Sequence, residues 1–276
     1  MQKPVLRQVH NGRDFLNIDG ETRFPMLYIP GLYDFVNNKY TLKAAEIGYR
    51  DFAAAGVNQG GIAIMPDLYC LDEGKYDWSK VDDMFEMAIR ANPGIQLLVE
   101  ISVIPPPWFE RKHLGEMEKA YFGKSLRTVP RSGPLGSELW LQVSNQLLKD
   151  FVEHVENSSY AHHVFAYNPM GGQSGEWYWP GSVYGGFTGY SDGTTKSFRN
   201  WLRLKYDNDP QRLQKAWNKE ALSFETVEIP PPEERMRKDG NGVFLDPVQH
   251  QHLFDLRQYK NDRTFLNIEE NSRTIK

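Results

Sequence analysis

The feature that most constrains the fold of this sequence is a regular alternation of short apolar segments with amphipathic ones. The apolar segments predict strands, and the amphipathic ones, with apolar residues three and four apart, predict helices. Strands are expected at residues 23–29, 57–65, 95–104 and 163–168, and helices at 42–55, 79–91, 137–156, 195–206, 209–217 and 246–276. This order favours a parallel sheet with helical crossovers over a sandwich or a helical bundle.

Turn-forming residues mark where these elements begin and end. Gly56 follows the first helix in the position that favours a left-handed cap, and Ser79 is the expected N-cap of the second helix. Prolines at 105–107 end the third strand, because proline cannot donate to a β-ladder. That strand is nearly continuously apolar, which is typical of a strand covered on both faces.

The predicted fold class is α/β, a (β/α)8 TIM barrel of which this chain holds the first four units. A closed barrel of this type needs eight units, usually in about 250 residues, whereas four units with long loops already occupy the 276 residues here. The last helix also runs to the end of the sequence without a glycine cap or a proline. We therefore expect a lead-in β-hairpin at 1–23 and the N-terminal half of a barrel domain at 24–276.

Charge and composition exclude several classes of partner. The net charge of -4, without a concentrated basic stretch, gives no reason to expect nucleic acid or an anionic membrane surface. The first residues lack the apolar core of a signal peptide, and no apolar run reaches the length of a membrane span. We therefore expect a cytoplasmic protein. The single cysteine, Cys70, is expected to be a small buried hydrophobe.

No cofactor and no metal is predicted. The sequence contains neither a GxGxxG nor a Walker pattern. His162 and His163 are adjacent, and His250 and His252 are two apart, so neither pair has a spacing that chelates well. The sequence does not indicate an oligomeric state.

The strongest chemical signal is the segment GGQSGEW at 171–177, just past the end of the fourth predicted strand. Barrel enzymes place their catalytic groups at this end of the strands. Cleavage of a glycosidic bond needs a carboxylic acid that protonates the leaving oxygen. Glu176 is the candidate, and Trp177, Tyr178 and Trp179 are expected to remove water from its carboxyl so that it holds a proton near neutral pH.

Three motifs carry a resemblance to a known family. These are EGKYDWSKVDDMFEMAI at 73–89, PPPWF at 105–109 and DGTTKSFRNWLRLKYDNDPQRLQKAWNKEALSFETVEIPPP at 192–232. Their order along the chain resembles that of the family 42 β-galactosidases and their clan A relatives, over roughly residues 24–270.

The resemblance implies a retaining glycoside hydrolase, with Glu176 as acid/base and a nucleophilic glutamate after the seventh strand. In such enzymes the two carboxyls lie about 5–5.5 Å apart. The second carboxyl has no counterpart in these residues, so the resemblance implies that it lies beyond the C-terminus and that the fragment alone is inactive. Gly175 stands where the relatives carry Asn, and Gln173 or Asn168 is expected to supply the missing amide for the substrate 2-hydroxyl.

The expected partner is a carbohydrate, a β-glycoside with galactosides first. The candidate substrate-binding residues are Trp177, Trp179, Trp108, Gln173, Asn168, Tyr28, Asp67 and Glu100. Trp108 is expected as a sugar platform or a packed core ring, and Glu100 as a carboxyl paired inside the barrel or facing the cleft.

Two alternatives stay open at this point. One is a noncatalytic carbohydrate-binding barrel that has lost its nucleophile, since a fold does not determine a function. The other is an inverting or endo-acting enzyme on a polysaccharide.

Overall fold

The structure is a computed structural model that describes residues 6–18, 20–31, 33–34, 39–40, 42–236 and 245–276. The strands in these residues are β1 (Leu6–His10), β2 (Arg13–Ile18), β3 (Glu21–Arg23), β4 (Tyr33–Asp34), β5 (Lys39–Tyr40), β6 (Gln59–Ile64), β7 (Cys70–Asp72), β8 (Lys75–Tyr76), β9 (Gln96–Val103), β10 (Lys119–Phe122), β11 (Ser125–Thr128), β12 (Val164–Gly171) and β13 (Phe187–Thr188). The helices are α1 (Leu42–Ala54), α2 (Ser79–Ala91), α3 (Pro107–Lys112), α4 (Glu138–Glu156), α5 (Asp192–Lys205), α6 (Pro210–Trp217), α7 (Pro232–Arg235) and α8 (Gln251–Thr274).

Three of the four predicted strands form one sheet, in the order β12-β9-β6. β6 and β9 are parallel, with Gln59 opposite Gln96 and Ile64 opposite Ile101, and α2 lies between them in the chain. This pair confirms the predicted crossover. The first predicted strand is reduced to a single parallel bridge between Tyr28 and Gly60.

The described strands do not close into a barrel, and this changes the environment of β9. Its burial alternates: Leu97, Val99, Ile101 and Val103 are buried, whereas the residues between them are only half-buried. The expectation that both faces are covered is therefore wrong for the described part of the chain. A run of apolar residues indicates a strand but not what packs on each face.

The predicted helices are present with small shifts at their ends. Gly56, at φ +82°, follows α1 as expected. The predicted N-cap of α2 is wrong, because Ser79 is the first helical residue and Trp78 precedes it without a capping side chain. The Oδ1 atom of Asp77 instead accepts a hydrogen bond from the Ser79 amide at 3.1 Å. None of the helices in the described ranges has the length and apolar character of a membrane span.

The chain divides into two compact units. Unit 1 comprises Met1–Ser102, Leu147–Met170 and Ile275. An aromatic stack stabilises it: the Trp78 ring lies between Tyr69, with centroids 4.7 Å apart, and His154, at 4.4 Å. Cys70 is buried in this unit, as predicted.

Unit 2 comprises Val103–Gln146, Gly171–Thr274 and Lys276. Its core is a cluster of buried apolar side chains from the α5, α6 and α8 helices and the segments around them. The cluster consists of Leu135, Trp179, Phe198, Leu202, Leu213, Trp217, Phe224, Val227, Ile229, Leu256 and Tyr259. The antiparallel sheet β11-β10-β13, which the sequence pattern did not indicate, also lies in this unit.

Candidate active site

Glu176 lies in a tight turn that directly follows β12. Gln173 and Tyr178 form an antiparallel bridge that closes the turn, and the Gln173 amide donates to the Tyr178 carbonyl at 2.8 Å. The Glu176 amide donates to the Gln173 carbonyl at 3.3 Å, and the Trp177 amide donates to Gly171 at 2.9 Å. The backbone itself therefore holds the acidic residue in place after the strand.

The turn has an unusual backbone that requires its glycines. Gly172, Ser174, Gly175 and Trp177 all have positive φ, between 59° and 76°. A Cβ on Gly172 would lie 2.5 Å from the Tyr178 carbonyl oxygen, so no larger residue fits there. Trp177 at φ +60° is a strained conformation for a bulky residue, of the kind that accumulates at functional sites.

The Glu176 side chain is exposed, and this differs from the expected environment. Tyr178, expected as part of a wall of rings, is itself half in solvent. Among the described residues, no side chain forms an ion pair or hydrogen bond with the Glu176 carboxylate. In the structure the carboxylate is therefore available to a ligand that approaches from solvent.

The two tryptophans of the turn pack inward instead of facing Glu176. Trp179 is 6% exposed, and its Nε1 donates to Thr264 Oγ1 at 3.1 Å and to the Lys260 carbonyl at 3.3 Å. Trp177 packs on the unit 2 core and across Gly171, where an added Cβ would lie 2.3 Å from its ring. Both rings therefore anchor the turn to the body of unit 2.

Gln173 also stabilises this turn. Its side chain is buried, and its Oε1 accepts a hydrogen bond from the Gly181 amide at 2.8 Å. Asn168, the other candidate amide, is exposed on β12 and belongs to unit 1. The carboxamide oxygen of Gln173 is thus already used within the loop, whereas the Asn168 side chain is open to solvent.

A sequence comparison decides the family of the chain. The profile of glycoside hydrolase family 42, described as Beta-galactosidase, matches residues 40–276. The chain belongs to this family. No curated protein sequence matches the chain.

Solved structures show the same fold as this family 42 chain at low sequence identity. The catalytic domain of a β-amylase from Paenibacillus polymyxa has a TM-score of 0.67 and 16% identity, covering 90% of this chain and 62% of that domain. A β-galactosidase from Bacillus circulans sp. alkalophilus has a TM-score of 0.60 and 18% identity, covering 90% of this chain and 34% of that one. For a β-galactosidase from the psychrophilic Marinomonas ef1 the TM-score is 0.58 and the identity 14%, with coverages of 90% and 34%. The family 42 chain thus spans about a third of the length of these two galactosidases.

The remaining candidates of the family 42 chain lie in other elements. In unit 2, Trp108 is 2% exposed on α3, which is the packed ring that the sequence left as an alternative to a platform. In unit 1, the Tyr28 ring stacks on Phe52 of α1, with centroids 4.3 Å apart. Asp67 is half-buried in a short 3-10 helix after β6. Glu100 lies on the half-exposed face of β9, where burial raises the pKa of its carboxyl.

Exposed side chains that sequence reasoning missed follow the turn. Tyr184 is 72% exposed and Val183 is also exposed, in a short 3-10 helix flanked by Gly181 and Gly185, both at positive φ. The two flanking glycines were the sequence feature that could have indicated this exposure, because glycines that adopt positive φ favour a tight turn with the residues between them at its tip. Among the described residues, no cluster of three or more potential metal ligands is present.

Proposed function

We propose that this family 42 chain carries the acid/base residue of a retaining glycoside hydrolase that acts on β-linked sugars, galactosides first. The observation that carries the proposal is the family match over residues 40–276, combined with an exposed glutamate in the turn directly after β12. The carboxyl ends of barrel strands are the usual place for catalytic groups.

In the proposed reaction Glu176 first protonates the glycosidic oxygen and then removes a proton from the water that completes hydrolysis. The bridge between Gln173 and Tyr178 supports this role, because it holds the backbone around the carboxyl in one conformation. We propose that Trp177 and Trp179 do not contact the sugar and that they stabilise the turn by packing on the core of unit 2. Bound sugar, rather than these rings, removes water from the carboxyl.

Within unit 1, Asn168, Asp67 and Glu100 are proposed to bind sugar hydroxyls, since each of these residues is at least partly open to solvent. For Gln173, Trp108 and Tyr28 we propose a supporting role, because the described contacts place their side chains in packing or in loop hydrogen bonds.

A retaining mechanism also needs a nucleophilic carboxylate about 5–5.5 Å from the first. We propose that it lies outside these 276 residues, in the two thirds of the galactosidase length that the chain does not span.

The test is a panel of nitrophenyl glycosides, applied to the natural full-length protein and its Glu176→Gln variant. Loss of acid/base catalysis is expected to lower kcat by roughly 100-fold or more. Azide needs no general base, so adding it is expected to restore turnover of the variant and to yield a glycosyl azide of retained configuration.

The matched control is Glu228→Gln, an exposed glutamate of the same unit that pairs with Arg199 at 2.8 Å. Its activity is expected to equal that of the parent. A Glu176→Gln variant as fast as the parent on every active substrate would eliminate the assignment.

A second candidate is an inverting or endo-acting enzyme on a polysaccharide, since the likeness to a β-amylase catalytic domain shows that this fold is not restricted to β-galactosidases. An inverting enzyme separates its carboxyls by about 6.5–9.5 Å and yields a product of opposite anomeric configuration. NMR of the first product formed distinguishes the two mechanisms. A protein that binds sugars but turns over none of the panel would support the noncatalytic alternative.

A further inference from the structure

Unit 2 contains a cavity of about 330 Å³. Trp179, which lies three residues after Glu176 in the sequence, is one of its lining residues. Among the described residues, it is lined by Arg235, Arg257 and Lys260, by the rings of Trp179 and Phe187, and by further side chains of α8. This volume lies at the lower end of the range for small-molecule sites, about 300–1,000 Å³. Among the described lining residues, the three ionisable ones all have basic side chains, whereas the others are mainly apolar.

Two of the cations converge on one residue of β13. The Arg235 Nη1 atom donates to the Thr188 carbonyl at 2.8 Å, and the Lys260 Nζ atom donates to the Thr188 hydroxyl at 2.5 Å. Lys260 also lies 4.5 Å from the centroid of the Trp179 ring. The guanidinium of Arg235 lies 5.1 Å from the Phe187 centroid. Hydrogen bonds and ring contacts therefore fix both cations before any ligand arrives.

Among the described residues, one nearby carboxylate offsets the charge of Lys260 only in part. Glu118 is the carboxylate that faces Lys260, but it is fully buried and accepts hydrogen bonds from the Gly189 amide at 2.6 Å and from Thr194 at 3.3 Å. Within the described part of the chain, no carboxylate forms an ion pair with Arg235 or Arg257. Burial, and to a smaller extent the nearby Arg235, lower the pKa of Lys260 to about 7, so this site disfavours the charged form of the lysine.

We propose that this cavity binds a small anionic molecule whose carboxylate or phosphate lies between Arg235 and Lys260. A guanidinium donates two parallel hydrogen bonds to either group, and the added negative charge offsets the repulsion between the cations. The apolar lining residues contact the uncharged part of the ligand. This proposal does not rest on the proposed glycosidase activity.

The test is isothermal titration calorimetry of the protein with glucose 6-phosphate, glucuronate and glucose, and with inorganic phosphate alone. The three sugars have the same ring, so the comparison isolates the charged group. We expect one or both charged sugars to bind and glucose not to bind. The phosphate and carboxylate arms identify which anion the cavity prefers, and inorganic phosphate shows whether the apolar part contributes.

Variants connect the binding to the cavity. Arg257 is exposed, so Arg257→Gln is expected to fold like the parent. This variant is expected to weaken binding roughly twofold to fivefold. Arg235→Gln removes a charge-assisted contact and is expected to weaken it by more than about tenfold. Arg273→Gln is the matched control, because this arginine lies on the same helix but pairs with Glu269 and Glu270 away from the cavity.

Three outcomes would overturn the proposal: no heat of binding with either anion at millimolar concentration, glucose binding that Arg257→Gln weakens as much as binding of the charged sugars, or an equal effect of Arg257→Gln and Arg273→Gln. Should Arg235→Gln not fold, the Arg257→Gln comparison still decides. Hydrolytic activity is not the readout, so the result is separate from the fate of the Glu176 assignment.

Discussion

Replacing Asp255 by Asn is predicted to destabilise unit 2 by about 3 kcal/mol. Asp255 lies fully buried on α8. Its Oδ1 atom accepts hydrogen bonds from Lys205 Nζ at 2.9 Å and from Gln251 Nε2 at 2.7 Å. Its Oδ2 atom accepts from the Tyr206 hydroxyl at 2.6 Å and from Trp217 Nε1 at 2.7 Å. One carboxylate thereby joins α8 to the ends of α5 and α6.

The magnitude follows from what an asparagine can still accept. Its shape is the same, but its nitrogen cannot accept, so the least costly orientation keeps the oxygen toward Tyr206 and Trp217. Lys205 and Gln251 then both lose their acceptor, and loss of the Lys205 bond to the charged group alone costs about 1.5–3 kcal/mol. Water replaces part of it, because the Lys205 side chain is 26% exposed. The bonds from the hydroxyl and the indole also weaken without the negative charge, which brings the total to about 3 kcal/mol.

Urea denaturation followed by tryptophan fluorescence measures the change, since Trp217 contacts Asp255 directly. Asp262→Asn is the matched control on the same helix: its exposed carboxylate accepts one bond, from Trp201 Nε1 at 2.9 Å. That variant is expected to lose less than about 1 kcal/mol. Equal losses in the two variants would refute the reasoning, because burial is the difference between them.

Three further predictions concern other parts of the chain. Gly172→Ala is expected to lower the free energy of unfolding at least twice as much as Gly123→Ala, which costs about 1 kcal/mol. Both glycines have positive φ, but only a Cβ on Gly172 would lie within 2.5 Å of a backbone atom, so similar urea midpoints of the two variants would contradict this. Burial raises the pKa of Glu118 from 4.5 to about 7, so the folded protein keeps a proton that the unfolded chain releases in that window. The free energy of unfolding of the parent, relative to that of Glu118→Gln, should therefore fall as the pH rises from 4.5 to 7. Urea unfolding of both proteins at the two pH values measures this difference, and a difference that does not change with pH would contradict the prediction. Phe198→Ala in the unit 2 core is expected to cost about 3–5 kcal/mol, whereas exposed Phe265→Ala should leave the thermal midpoint nearly unchanged.

The elements of the β12-β9-β6 sheet were predictable because their signals are local. The apolar run at 95–104 contains β9, and the helix predicted at 79–91 has the bounds of α2. Periodicity and turn residues within a dozen positions carry this information. The family motifs and the position of Glu176 after a strand are of the same kind.

The tertiary structure decided the environment of each side chain in the candidate site. The pattern suggested that Trp179 would face Glu176, but its ring packs against α8, more than 80 residues later in the chain. The cation cavity likewise combines residues from 179 to 261, and no local spacing links them.

The sequence by itself indicated the strands β6, β9 and β12, most of the long helices, and the acidic residue that follows β12. Only the tertiary structure decided which way the tryptophans turn, which face of β9 is covered and where the buried carboxylates find their partners. The physical reason is range: backbone preferences and periodicity act between neighbours in the chain. Burial and charge, in contrast, depend on residues that become neighbours only when the chain has folded.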